Sequence, residues 1–134
     1  MHPLYATATS LTAKCIGAAI EVHRELGPGL MESYYERCLV HELQLQGLSC
    51  QQQKRVALTY KGLAIDEPLR FDVLVEDCLL IECKAVENLL PIHKAQVMTY
   101  LKLLKVPLGL LINFHEPLLK NGIHRLILPG ANKP

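Results

Sequence analysis

Two apolar runs stand close together in residues 69–84, which read LRFDVLVEDCLLIECK. Leu69–Val75 and Leu79–Lys84 are rich in the aliphatic and β-branched residues that favour strands. The polar residues Glu76-Asp77-Cys78 separate the two runs and indicate a turn. The segment is therefore predicted to form a β-hairpin.

The charged residues Asp72, Glu82 and Lys84 interrupt the apolar runs of these two predicted strands. Charged residues are depleted from strands and are seldom buried unless they are paired. Residues two apart in a strand share a face, so Glu82 and Lys84 point the same way. Two carboxylates that meet suit a hard cation such as Mg²⁺, and an adjacent ammonium can position a water or stabilise charge on a phosphate. For the isolated spacing, an ordinary salt bridge on an exposed sheet face is the commoner outcome.

The length of the hairpin loop decides whether the two carboxylates meet. A two-residue loop would pair Val75 with Cys78. That register places Asp72 and Glu82 on opposite faces of the hairpin. A three-residue loop would instead pair Val75 with Leu79, which sets the two carboxylates opposite each other. We therefore predict an odd-length loop, or a bulge that restores the same parity.

Two helices are predicted before the hairpin. Ser10 is a plausible N-cap for a helix from about Leu11 to Leu26, in which apolar residues recur at helical spacing. Gly27-Pro28-Gly29 would end this helix. A second helix is predicted from about Met31 to Gln46, with Gly47 after its last turn.

The other predicted elements give the order α, α, β, β, β, α, β, β. They are a strand over Ser49–Tyr60 before a Lys61-Gly62 turn, a helix over Pro91–Leu104, a doubly covered strand over Pro107–Phe114, and an edge strand over Ile123–Leu128. In the third helix the residues predicted to lie in the core are Ile92, Ala95, Met98, Leu101 and Leu104. The chain is therefore predicted to be an α/β protein with a mixed β-sheet flanked by helices.

Length and composition predict one domain spanning residues 1–134. Half of the residues are apolar and a fifth are charged, as in ordinary globular proteins. No apolar run is long enough to cross a bilayer, and the first residues lack a signal-peptide pattern. The five cysteines form no C-x-x-C pair, which favours reduced thiols. These features predict a cytoplasmic protein without a membrane partner.

The net charge of +1 bears on nucleic-acid binding. Proteins that bind duplex DNA tightly and without help usually carry a basic surplus. The balance therefore counts against strong autonomous binding, although it permits a local basic patch.

Further motifs accompany the hairpin in a particular order along the chain. Gly29, Glu32 and Tyr35 form G-x-x-E-x-x-Y at the opening of the second helix, and Gln96 and Tyr100 form Q-x-x-x-Y in the third. Together with Asp72, the segment 82–87 and the strand end 111–114, they resemble the GxxExxY family of the PD-(D/E)XK nuclease superfamily. The resemblance runs from about residue 27 to residue 128. It implies a restriction-endonuclease-like core, α-β-β-β-α-β, with an extra N-terminal helix.

The resemblance also implies roles for individual residues. Asp72, Glu82 and the main-chain carbonyl of Cys83 would hold Mg²⁺ or Mn²⁺, and Lys84 would assist the attacking water. Glu32 would join the metal or its water shell. By the same resemblance, the residues that position substrate or water are Gln96 and Tyr100.

Two functions fit these expectations. The first is a Mg²⁺-dependent nuclease that hydrolyses phosphodiester bonds in DNA or RNA. The second is a non-catalytic module of the same fold that binds a nucleic acid or a protein. A homodimer would enlarge the small contact surface that such a short chain offers.

Overall fold

The computed structural model describes all 134 residues of the chain. It contains three α-helices. They are α1 (Tyr5–Leu26), α2 (Glu32–Leu45) and α3 (Pro91–Leu104). The predicted ends of α2 and α3 are confirmed to within one residue. None of the three is sufficiently long and apolar to cross a membrane.

The predicted start of α1 is wrong. The helix begins at Tyr5 with Leu4 at the N-cap, and Ser10 lies inside it, where its hydroxyl donates to the Thr7 carbonyl at 2.7 Å. A serine can make such a bond within a helix as readily as it caps one. Ala8 is fully buried against the core, so the additional turns of α1 are stabilised by packing.

Seven strands form two separate sheets. They are β1 (Cys50–Gln51), β2 (Lys54–Tyr60), β3 (Leu63–Leu69), β4 (Val73–Val75), β5 (Leu79–Lys84), β6 (Leu108–Asn113) and β7 (Ile123–Ile127). The main sheet has the order β1-β4-β5-β6-β7, in which β5 and β6 are parallel and the other pairs antiparallel. As predicted, β6 is buried along its whole length and β7 lies at an edge.

The β2–β3 hairpin was predicted only in part. The single strand predicted over residues 49–60 is two strands, because Gln53 adopts a φ of 56° between them. Strand β3 has no counterpart in the prediction, and the strand predicted over residues 69–75 begins only at Val73. Asp66, Glu67 and Pro68 obscured β3, since these residue types are depleted from strands. A two-stranded ribbon has free edges, where a proline removes no ladder bond.

The two faces of the main sheet pack against different helices. Alternate residues of β5, such as Leu79, Ile81 and Cys83, contact α1 and α2, whereas Leu80 contacts α3. Gly109 in β6 allows α3 to approach closely: a Cβ atom there would lie 3.0 Å from Val97 Cγ1. We call the surface of the sheet that packs against α3 the α3 face.

The predicted fold class is confirmed. The order α2-β1-β4-β5-α3-β6 gives the expected core, α1 precedes it, and the β2–β3 hairpin is inserted between β1 and β4. The molecule is a mixed α/β structure with a mostly antiparallel sheet.

Candidate active site

The turn between β4 and β5 has the odd length that the parity argument predicted. Val75 pairs with Leu79 across a three-residue loop, and the Cys78 N–H donates to the Val75 carbonyl at 3.0 Å. Glu76 and Asp77 both adopt the left-handed region, with φ values of 50° and 56°. The resulting register carries the residue before β4 to the position opposite Glu82.

That residue is Asp72, and it contacts Glu82. The Asp72 N–H points at Glu82 Oε1 over 3.4 Å, and the Cys83 N–H donates to Asp72 Oδ2 at 2.6 Å. Glu82 is only 3% exposed. The hairpin thus holds the buried carboxyl group of Glu82 against that of the half-buried Asp72.

Glu82 has a strongly raised pKa. This pKa rises to about 9, mainly because of burial and then because of the charge of Asp72 and hydrogen bonding with it, while the charge of Lys84 opposes the rise. Two adjacent carboxylates repel each other and Glu82 is buried, so the pair holds a proton at neutral pH when nothing else neutralises it. A divalent cation could take the place of that proton.

Lys84 lies on the same face of β5 as Glu82, as the strand period predicted. Its side chain is half-buried and makes no ion pair within 4.0 Å. Its positive charge nevertheless reaches the carboxylates, because it lowers the pKa of Glu82. Cys83 lies between these two residues and points into the opposite core, where it is 1% exposed.

Asn113 fixes the chain beyond Lys84, and the sequence reasoning assigned it no role. It is 1% exposed at the end of β6. Its Oδ1 accepts from the Val86 and His115 N–H groups at 3.1 and 3.2 Å, and its Nδ2 donates to the Val86 carbonyl at 2.8 Å. The Phe114 N–H donates to the Lys84 carbonyl at 2.7 Å. The sequence signal for such a role was a polar residue at the end of an otherwise apolar strand.

The G-x-x-E-x-x-Y motif builds the entrance to α2. Gly27 and Gly29 have φ values of 69° and 103°, which suit glycine. The Tyr35 hydroxyl donates to the Gly27 carbonyl at 2.6 Å and accepts from the Leu30 N–H at 3.0 Å. The Tyr35 ring is fully buried and stacks on Phe114 at 4.6 Å. The tyrosine is therefore a structural residue that fixes where α2 begins.

Two glutamates of α2, Glu32 and Glu36, add negative charge around the hairpin. Burial raises the pKa of the Cys83 thiol well above its usual value, and negative charges add to the rise. Those charges belong to Asp72, Glu36, Glu82 and Glu32. The expected Glu32 thus adds negative charge around Cys83, but no three Asp, Glu, His or Cys side chains are arranged to hold a metal ion. Asp72 and Glu82 alone come together.

Glu36 is a second residue that the sequence reasoning missed. It is half-buried one turn after Glu32, and its Oε1 accepts from Gln52 Nε2 at 2.8 Å. Burial raises its pKa, and the charges of Asp72 and Glu32 also raise it. It lines a cleft of about 430 Å³ together with Gln52, Gln53, Arg70, Phe71 and Asp72. Its helical spacing from Glu32 could have indicated it.

Helix α3 borders the site through Gln96 and Tyr100. Gln96 Nε2 donates to the Tyr100 hydroxyl at 3.2 Å. Burial raises the pKa of Tyr100, and the charges of Glu82 and Asp72 add to this effect. The predicted core positions Ile92 and Ala95 are wrong: both are exposed, because only the side of α3 that contains Val97 and Leu101 faces the sheet.

A groove follows the outer surface of α3 beside the site. Its volume is about 450 Å³, and its lining is Ile92, His93, Ala95, Gln96, Thr99 and Tyr100. A larger cavity of about 630 Å³ lies between α1 and α2, but neither Asp72 nor Glu82 lines it. This larger cavity is therefore separate from the candidate active site.

Comparison with known families agrees with this geometry. A family model of the PD-(D/E)XK nuclease superfamily matches residues 9–126, which is most of the chain. The chain therefore belongs to the PD-(D/E)XK nuclease superfamily. No curated protein and no solved structure matches the sequence.

Proposed function

We propose that the protein is a Mg²⁺-dependent nuclease that hydrolyses phosphodiester bonds in DNA or RNA. The observation that carries the proposal is the buried contact between Asp72 and Glu82, with Lys84 on the same face. Burying two carboxyl groups side by side destabilises a fold, so the arrangement suggests a functional demand. Membership of a nuclease superfamily supports the same reading.

The residues that would hold the ion are Asp72, Glu82 and the Cys83 carbonyl, with Mn²⁺ as a possible substitute for Mg²⁺. Magnesium usually keeps several waters and takes only one or two protein carboxylates, so a two-carboxylate site fits it. Once bound, the ion would polarise the phosphate and lower the pKa of a water. Glu32, and with it Glu36, would act through the surrounding waters.

The other residues would act on the substrate directly. Lys84 would stabilise negative charge that develops on the phosphate, since a fixed ammonium in a poorly hydrated site acts strongly. Gln96 and Tyr100 would orient the water or the neighbouring phosphate by hydrogen bonds. Asn113 would be a positioning residue, because it fixes the chain that follows Lys84.

The finer assignments are part of the same proposal. We assign the chain to the GxxExxY branch, as a single nuclease domain over residues 1–134 that acts in the cytoplasm. A homodimer, which would enlarge the substrate-binding surface, stays a prediction.

Cleavage assays test the proposed function. Labelled single-stranded, duplex and branched DNA and RNA should be cleaved in Mg²⁺ or Mn²⁺ but not in EDTA. Asp72→Ala should lower the rate about 10²-fold or more, because it removes half of the carboxyl pair. Asp66→Ala, which removes an exposed aspartate of β3, is the matched control and should cleave at the wild-type rate.

Two results would contradict the proposal. Cleavage that survives in Asp72→Ala would show that the carboxyl pair is not responsible. A protein that binds nucleic acid without cleaving any of these substrates would instead be the non-catalytic module.

A further inference from the structure

The charge of the chain is distributed very unevenly. Residues 88–134 contain six lysines and arginines but a single acidic residue, Glu116. This part alone therefore has a net charge of +5, although the chain as a whole has +1. The rest of the molecule, which includes the carboxyl pair, is correspondingly acidic. A near-neutral total thus conceals a basic C-terminal segment.

Much of this positive charge follows one side of α3. Lys94 and Lys102 recur at helical spacing in α3, Lys105 follows its last turn at the C-cap, and all three are exposed. Helix α3 contains no acidic residue, and none of the three lysines makes an ion pair within 4.0 Å. We call Lys94, Lys102 and Lys105 the lysine face. Its charge is uncompensated within the protein.

The sheet register locates the lysine face relative to the carboxyl pair. Glu82 pairs with Leu111, and Leu111 pairs with His124, so the three residues form a row across the α3 face. His124 lies two strands from Glu82, which is about 10 Å. Helix α3 packs over the strand of His124, since Leu126 of β7 joins Val97 and Leu101 of α3 in one apolar cluster. In keeping with this packing, the charge of Lys94 adds to burial in lowering the pKa of His124. The lysine face therefore begins at the far end of the row.

Helix α3 lies across this row, with a different chemistry on each side. Tyr100 packs against the apolar cluster that contains Phe71 and Leu80, next to the carboxyl pair, and Gln96 hydrogen-bonds to the tyrosine. The outer groove, with Ala95 and Thr99 in its lining, follows the exposed surface between Tyr100 and the lysine face. A chain that leaves the carboxyl pair over α3 would meet the lysines next.

We propose that the lysine face binds the phosphodiester backbone of the nucleic-acid strand whose scissile phosphate lies at Asp72 and Glu82. This rests on the proposed function, which supplies the strand. Lysine side chains act as point charges, so they can bind the regularly spaced phosphates of a strand without contacting its bases. An α-helix is about 10 Å wide, so the contacted phosphates lie about three nucleotides from the scissile one.

Charge reversal on the lysine face tests this inference. The variant is Lys94→Glu/Lys102→Glu, and the matched control is Lys14→Glu/Lys133→Glu, which changes the net charge equally at exposed lysines elsewhere. Binding of fluorescent single-stranded and duplex DNA is measured by anisotropy in EDTA over a range of salt concentrations. The variant should bind about tenfold more weakly or worse, and its log K against log salt slope should fall by about 2. The control should stay within about twofold of wild type.

Three outcomes would overturn the inference. They are equal losses in the variant and its control, wild-type affinity in the variant, and no binding by the wild type in EDTA. No step of this experiment involves cleavage, so it is independent of the nuclease assay. A protein that binds through the lysine face without cleaving would contradict only the proposed function. If the wild type cleaves and the Lys94→Glu/Lys102→Glu variant binds DNA as tightly as the wild type, only this inference is contradicted.

Discussion

Lys84→Ala should lower the rate of cleavage about 10²- to 10³-fold and leave Mn²⁺ binding nearly unchanged. The reason is that Lys84 shares a face with Glu82 but makes no ion pair with either carboxyl group. Its removal takes a positive charge away from the reacting phosphate and leaves the proposed metal ligands intact. Rates at saturating Mg²⁺ and a calorimetric Mn²⁺ titration measure the two effects separately.

The matched control for this change is Lys120→Ala. Lys120 is exposed in the 3₁₀ turn over Leu119–Gly122, and its loss should leave both measurements at the wild-type values. If Lys84→Ala cleaves as fast as wild type, the role assigned to Lys84 is wrong. If it instead loses Mn²⁺ binding, the lysine supports the carboxyl pair and not the phosphate.

Glu82→Gln should stabilise the metal-free protein at alkaline pH while abolishing cleavage. The folded pKa of Glu82 is about 9, well above the value near 4.3 expected in the unfolded chain. Between these two values the folded state holds the extra proton, so the wild-type free energy of unfolding falls as pH rises. Glutamine keeps the shape and the hydrogen bond to Asp72 but does not titrate. At pH 8 the variant should therefore be more stable by several kcal/mol.

Thermal melts in EDTA from about pH 5 to pH 9 measure this effect, a window set by the linkage argument. The difference between Glu82→Gln and wild type should widen towards high pH and nearly vanish at the acidic end. Glu87→Gln, which changes an exposed carboxylate five residues further along, should follow the wild-type curve. Parallel curves for wild type and Glu82→Gln would contradict the raised pKa of Glu82.

The hairpin register could be predicted because it depends on local rules. Side chains alternate along a strand, so a functional pairing of Asp72 with Glu82 required an odd loop before any coordinates were known. The predicted bounds of α3 and the burial of β6 likewise depended on features within each segment, a proline at the first turn and an unbroken apolar run.

The remaining features depend on contacts between distant parts of the chain. Strand β3 forms because β2 lies beside it, in spite of Pro68. Asn113 accepts a hydrogen bond from Val86, and the charge of Asp72 affects the pKa of Glu36, although the two residues of each pair are far apart in the sequence. The exposure of Ile92 depends on which side of α3 meets the sheet. No periodicity or spacing in a single segment carries that information.

The central claim is that Asp72 and Glu82 bind a divalent cation, and a melting curve in Mn²⁺ tests it most directly. A ligand that binds only the folded state at a hundredfold excess over Kd stabilises it by about 2.7 kcal/mol, or about 10 °C in Tm. Wild type and the control Asp66→Asn should both show this rise, and Asp72→Asn should lose most of it. A wild-type Tm that is indifferent to millimolar Mn²⁺, or an equal rise in Asp72→Asn, would contradict the claim.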